Sequence, residues 1–183
     1  MGWHEPTLFV KPQFTHKIVH NSAMYEIPQG KSFSLDAQQL QDFQPNRYPF
    51  LMIDAVTDVL PGSYAKGYKN LSNNEWYFPI HFINNPNMPG ALQLESLAQM
   101  LTIAITTLPG LKGQVTHALS HTVRFRREIK PGDRFDIETN LISWKRGIAV
   151  GTGIGMVNGD IACEAKMTIT IPDIFLKHLP KIN

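Results

Sequence analysis

The stretch WYFPIHFINNPNMPGALQLESLAQMLTIAITT, residues 76–107, decides what kind of fold this chain can adopt. Its second half reads as one helix. Pro89 suits a first helical turn, where a missing N–H costs nothing, and the run then continues until Pro109-Gly110 stops it. On a wheel at about 100° per residue, Glu95, Gln99, Thr102 and Thr106 fall on one narrow polar stripe. Leu92, Leu94, Leu97, Met100, Leu101, Ile103 and Ile105, with three alanines, cover most of the remaining circumference. A helix so largely apolar belongs inside a core. Upstream, Pro79, Pro86 and Pro89 punctuate a loop that carries His81. An imidazole thus precedes a helix start with free N–H groups and a polar stripe containing a carboxylate.

On both sides of this helix the pattern is that of strands. Residues 50–60, a Pro61-Gly62 turn and residues 63–71 predict a hairpin. After the helix come residues 115–129, a Pro131-Gly132 turn, residues 134–144, a turn at Lys145-Arg146-Gly147, residues 148–157, the hairpin signal Asn158-Gly159, and residues 160–171. In the last of these, Ile161, Cys163, Ala165, Met167, Ile169 and Ile171 alternate with Glu164, Lys166, Thr168 and Thr170. One apolar and one wetter face in this strand fit an α+β fold in which a single antiparallel sheet wraps one long helix. Ahead of it, Ser34-Leu35-Asp36 reads as a helix start, with Gln38-Gln39 in the first turn and Pro45 ending the element after Phe43. Residues 1–33 show no sustained period and read as an N-terminal extension, residues 34–176 as the domain, and 177–183 as a tail.

Composition excludes several classes. The 183 residues are 43% hydrophobic and 17% charged, with one cysteine and a net charge of +2. One cysteine permits no internal disulfide framework, and a chain of this length can bury a core without one. The charge and a pI near 8.7 are too mild to indicate nucleic acid. There is no run of 18 apolar residues for a membrane span and no signal-peptide core near the start. A cytoplasmic protein is expected.

At the His81 loop the residues resemble a known family. His81-Phe82, Asn85-Pro86, Met88-Pro89-Gly90, Leu92, Glu95 and Leu97-Ala98-Gln99 are similar to the active-site segment of the bacterial β-hydroxyacyl-acyl carrier protein dehydratases, which have the hotdog fold. Asn46-Arg47-Tyr48-Pro49-Phe50-Leu51 with Asp54 resembles a second block of that family, and Arg124-Phe125-Arg126-Arg127 with Pro131-Gly132-Asp133 a third. Arg146-Gly147 and Cys163-Glu164-Ala165 extend the likeness, which covers about residues 35–172.

The resemblance implies loss of water from a 3-hydroxyacyl thioester, giving the trans-2-enoyl thioester. Such chemistry needs a base at C2, a stabiliser for the enolate-like oxygen and an acid for the departing hydroxyl. By resemblance, His81 is the base, Glu95 meets the hydroxyl, and the backbone N–H of Gly90 meets the thioester carbonyl at the positive end of the helix. Gln99, one turn after Glu95, is placed to bond its carboxyl group, whose pKa is expected to be raised in so apolar a helix. The resemblance further implies a homodimer, with a trimer of dimers as the larger assembly, and His81 and Glu95 of each site coming from different subunits. It implies no metal and no redox cofactor, the substrate being carried on the phosphopantetheine of acyl carrier protein. Arg124, Arg126 and Arg127, with Lys130, are the candidate surface for that acidic partner.

Three positions depart from the family pattern: Ile80 stands where Gly usually precedes the histidine, Ile83 where Pro follows His-Phe, and Asn46 where His precedes Arg-Tyr-Pro-Phe. They are compatible with a reshaped substrate tunnel, and also with a paralogue that binds acyl thioesters without turnover. A hotdog thioesterase, with Glu95 directing water at the carbonyl, is the alternative enzyme. Other signals are weaker. Gly151, Gly153 and Gly155 fail the dinucleotide pattern and are expected to permit close packing or leave tunnel space. His16 and His20 lack a third ligand, His117 and His121 lie roughly 13 Å apart on a strand, and Cys163 reads as a core thiol.

Overall fold

Asp36 opens the first helix as its residue type predicts. In the computed structural model, which describes residues 30–180, its carboxylate accepts the backbone N–H groups of Gln38 and Gln39, while Gln39 Oε1 accepts the N–H of Asp36 at 3.0 Å. This reciprocal cap, worth about 1 kcal/mol, starts α1 at Ala37–Phe43. A short strand β1, Phe33–Leu35, precedes it and pairs with the next strand. No alternation over three residues was available to mark it in the sequence. The expected extension therefore yields to the sheet by Phe33, and its residues 1–29, with His16 and His20, lie outside the described residues.

The hairpin forms as β2, Ala55–Leu60, and β3, Tyr64–Asn70, with Gly62 at φ 73 in the turn. Residues 50–54, expected as strand, instead lie outside it: Gln99 takes the backbone groups of Phe50 and Met52 that a ladder would have used. The long helix is α2, Gly90–Thr106, and the later strands are β4 (His117–Phe125), β5 (Arg134–Lys145), β6 (Ile148–Val157) and β7 (Asp160–Thr170). Both later hairpin turns use left-handed backbone, at Arg146-Gly147 and Asn158-Gly159. A helical turn, α3 (Pro172–Phe175), closes over the β5–β6 turn, where Ile171 N–H bonds Gly147 O at 2.8 Å.

All seven strands form one antiparallel sheet in the order β1-β2-β3-β5-β6-β7-β4. It wraps α2, twelve of whose 17 residues are buried, as so apolar a helix requires. The alternate glycines serve packing: a Cβ on Gly151 would come within 2.5 Å of Leu101, and one on Gly155 would strike the Phe135 ring. No helix among the described residues is long and apolar enough to cross a membrane.

Two strands depart from simple alternation. In β7, Gly155 pairs with Cys163 but Met156 pairs with Ile161, so Ala162 is an extra residue and the face switches. Ile161 turns outward while Ala162 and Cys163 are both buried, and Thr170 and Ile171 are both buried at the other end. The second departure is β4, the last strand of the sheet. Only Val123 is even partly buried, and the other eight residues are exposed on both faces. α2 packs mainly on β5, β6, β3 and β7, leaving β4 little of its own core to face.

Candidate active site

The helix start places Gly90 first in α2, after Pro89. A residue there has no carbonyl one turn back in the helix to accept its N–H, and the helix dipole makes the place electropositive. A Cβ on Gly90 would lie 2.8 Å from Phe125 Cζ at the end of β4. Glycine thus leaves room for a ring 35 residues away as well as for an approaching ligand, a relation that local sequence could not display.

One turn into α2, Glu95 is half-buried. Burial pushes its carboxyl above the ordinary value of 4.5, opposed by a hydrogen bond from Gln99. That bond, Gln99 Nε2 to Glu95 Oε1, is 2.8 Å long. The second hydrogen of the same amide goes to Phe50 O at 2.8 Å, and Gln99 Oε1 accepts the Met52 N–H at 2.8 Å. With the side chain buried and every bond directed, Gln99 can present only its N–H side to Glu95. The carboxyl proton, when present, then sits on Oε2, the oxygen away from Gln99.

His81 lies in the loop before α2. Its backbone N–H donates to Tyr77 O at 2.9 Å, its carbonyl accepts from Asn87 N–H at 2.9 Å, and its ring stacks on Phe82 with centroids 4.2 Å apart. Ring Nδ1 is 3.0 Å from Asn87 O. A carbonyl only accepts, so Nδ1 carries the hydrogen and Nε2 keeps the lone pair. That tautomer is the one a proton acceptor needs. Ile80 and Ile83, the departures from the family pattern, are 67% and 85% exposed on either side of this ring. Their branched side chains point away from the chain's own core.

The structure brings Glu95 and Gln99 together, but not His81 and Glu95: their hydrogen bonds run to Asn87 and to Gln99, and none joins the pair within one chain. The rest of the polar stripe has local uses, Thr102 bonding Thr116 and Thr106 bonding back to Thr102 O. The basic cluster is largely neutralised. Arg126 pairs with Glu164 at 2.5 Å, Arg127 with Asp160 at 3.1 Å and Lys130 with Glu128 at 3.2 Å. Arg124 alone of the four forms no ion pair among the described residues. Cys163 is a core thiol, which burial pushes up to about 11.

A family model, the FabA-like domain, matches residues 44–166, about two thirds of the chain. The chain belongs to the FabA-like family. Within that family it is 38% identical over 138 residues to a 3-hydroxyacyl-acyl-carrier-protein dehydratase FabZ of Bacillus licheniformis, covering 75% of this chain and 96% of that protein. It is 40% identical over 140 residues to the FabZ of Clostridium botulinum, covering 75% and 99%. Among solved structures, the dehydratase heterocomplex ApeI:P of Xenorhabdus doucetiae aligns with a TM-score of 0.65 at 15% identity, over 75% of this chain and 95% of that one. The fold is the hotdog fold, and the matched region contains the His81 loop, all of α2 and the Phe50–Met52 segment that Gln99 holds.

Proposed function

We propose that this chain is a 3-hydroxyacyl thioester dehydratase acting on substrates carried by acyl carrier protein. The observation that carries the reading is Glu95, a carboxyl group raised by burial and aimed by a fully bonded Gln99, within a chain about 40% identical to FabZ dehydratases. His81 Nε2 takes the C2 proton, polarised by the thioester carbonyl, whose oxygen is met by the Gly90 N–H. The C3–O bond breaks as the C2=C3 bond forms, and Glu95 Oε2 gives its proton to the hydroxyl, which leaves as water. Proton return from His81 to Glu95 through solvent completes the cycle. The steps use a base, an acid and an oriented donor and need no metal or redox cofactor.

The same reading makes the working unit a homodimer. An edge strand exposed on both faces, with Val115, Leu119 and Phe125 about half exposed, supports a partner along β4. The separation of His81 and Glu95 into different hydrogen-bond networks supports sites shared between two subunits, and a trimer of dimers is the larger assembly in this reading. The carrier is met through Arg124 with the paired Arg126, Arg127 and Lys130, in a cytoplasmic setting. Incubating the purified chain with 3-hydroxyacyl and trans-2-enoyl thioesters tests the assignment. Interconversion is expected; release of free thiol would make it a thioesterase, and binding without either product would make it a non-catalytic binding protein.

A further inference from the structure

Strand β3 faces the core with Ala65, Gly67 and, in the same alternation, Lys69. The Lys69 side chain is only 7% exposed, and an ammonium so placed must be paired. It is held by two carboxylates, Asp54 Oδ1 at 3.3 Å and Glu75 Oε1 at 3.0 Å. Asp54 also accepts the Asn70 N–H at 2.8 Å and donates its own N–H to Tyr68 O. Glu75 belongs to the loop leading to His81: its carbonyl accepts the Phe78 N–H, and Tyr77 O accepts the N–H groups of Ile80 and His81.

Asp54 lies two residues after Met52, whose N–H goes to Gln99 and thus to the Glu95 end of the site. A single buried cation therefore connects the segment that aims Glu95 to the loop that carries His81. Burying a lysine with two carboxylates is a poor way to gain stability, since well-packed apolar side chains commonly do as well or better. Its directional bonds are what an apolar replacement would lack.

We propose that Lys69 is a positioning residue: its ammonium ties Asp54 to Glu75 and so sets the His81 loop against the Gln99–Glu95 half of each subunit. Each subunit supplies both halves to the paired sites, so displacement of the loop detunes both. The kinetic part of this inference rests on the dehydratase reading above.

Glu75→Ala is the first variant to make, because it cuts the loop end of the strut and leaves Lys69 paired with Asp54. It is expected to lower kcat roughly tenfold or more, as a misplaced base does, with KM nearly unchanged and hydrogen exchange accelerated at the Phe78 and His81 amides but not in α2. Lys69→Met is expected to do the same, and Lys69→Arg, which keeps the charge, to recover most of the lost turnover. A lysine that merely stabilises the fold would lower the melting temperature and leave kcat per folded molecule intact. Wild-type kcat together with wild-type exchange at His81 in Glu75→Ala would overturn the proposal. If the wild type turns over no 3-hydroxyacyl thioester, the dehydratase reading fails and the exchange measurement alone decides the strut.

Discussion

Gln99 and Glu95 sit one helical turn apart with Gln99 Nε2 2.8 Å from Glu95 Oε1, and the rest of the Gln99 amide is bonded to the backbone of Phe50 and Met52. A residue in the core of α2 thereby sets both the rotamer of a carboxyl group and the course of a chain segment some 47 residues earlier. Replacement by leucine strands the Met52 N–H and the Phe50 carbonyl. Gln99→Leu is expected to cost about 1–3 kcal/mol, from the buried Met52 N–H left unpaired, and to lower turnover more than tenfold. Urea unfolding and steady-state kinetics on the same preparation measure both, and a variant as stable and active as the wild type would contradict the role given to Gln99.

His81→Ala should abolish interconversion of hydroxyacyl and enoyl thioesters, and Glu95→Gln should lower it strongly, with folding intact in both. Mixed under conditions of subunit exchange, the two inactive chains should recover activity through hybrid dimers that retain one intact site. No recovery despite demonstrated exchange would argue against sites built from two subunits.

Glu95 also predicts a pH dependence of stability. Burial raises its folded pKa above 4.5, so between that value and the folded one the folded state holds more protons than the unfolded state. Stability from this group is therefore intact below 4.5 and falls as pH rises through the window. Relative to Glu95→Gln, which cannot titrate, the wild type should lose stability across that interval. Urea midpoints for the two proteins over a pH series give the comparison, and parallel curves would mean that Glu95 is not desolvated.

The glycines of β6 should rank by the space each meets. A Cβ on Gly151 comes within 2.5 Å of Leu101 and 2.8 Å of Asn140 O, whereas one on Gly153 lies 3.2 Å from Leu97 and Met167. Gly151→Ala is expected to cost about 1–3 kcal/mol, as overpacking does, and Gly153→Ala less. Thermal melts of the two variants settle the order.

Cys163 should be inert. It is fully buried, and its thiol is pushed up to about 11, so little thiolate exists at neutral pH. Alkylation by iodoacetamide should be slow in the native protein and fast in urea; rapid native labelling would show that β7 opens.

The sequence by itself determined the order and kind of the main elements, because these depend on local signals: the apolar circumference of α2, the Asp36 cap, the Asn158-Gly159 turn and the alternation along most of β7. Resemblance to a known family singled out Glu95, Gly90 and His81, and helical periodicity alone puts Gln99 beside Glu95. Only the tertiary structure decided what lies across the chain from these residues. That Phe50 and Met52 occupy the Gln99 amide, that Phe125 covers Gly90, that an extra residue at Ala162 turns Ile161 outward, and that Lys69 points inward between Asp54 and Glu75 are facts of packing between distant segments. Local periodicity carries no information about which distant backbone group satisfies a buried donor, or about which strand is left at the sheet edge. For that reason no local signal in residues 115–129 marked β4 as the strand that the fold leaves exposed on both faces.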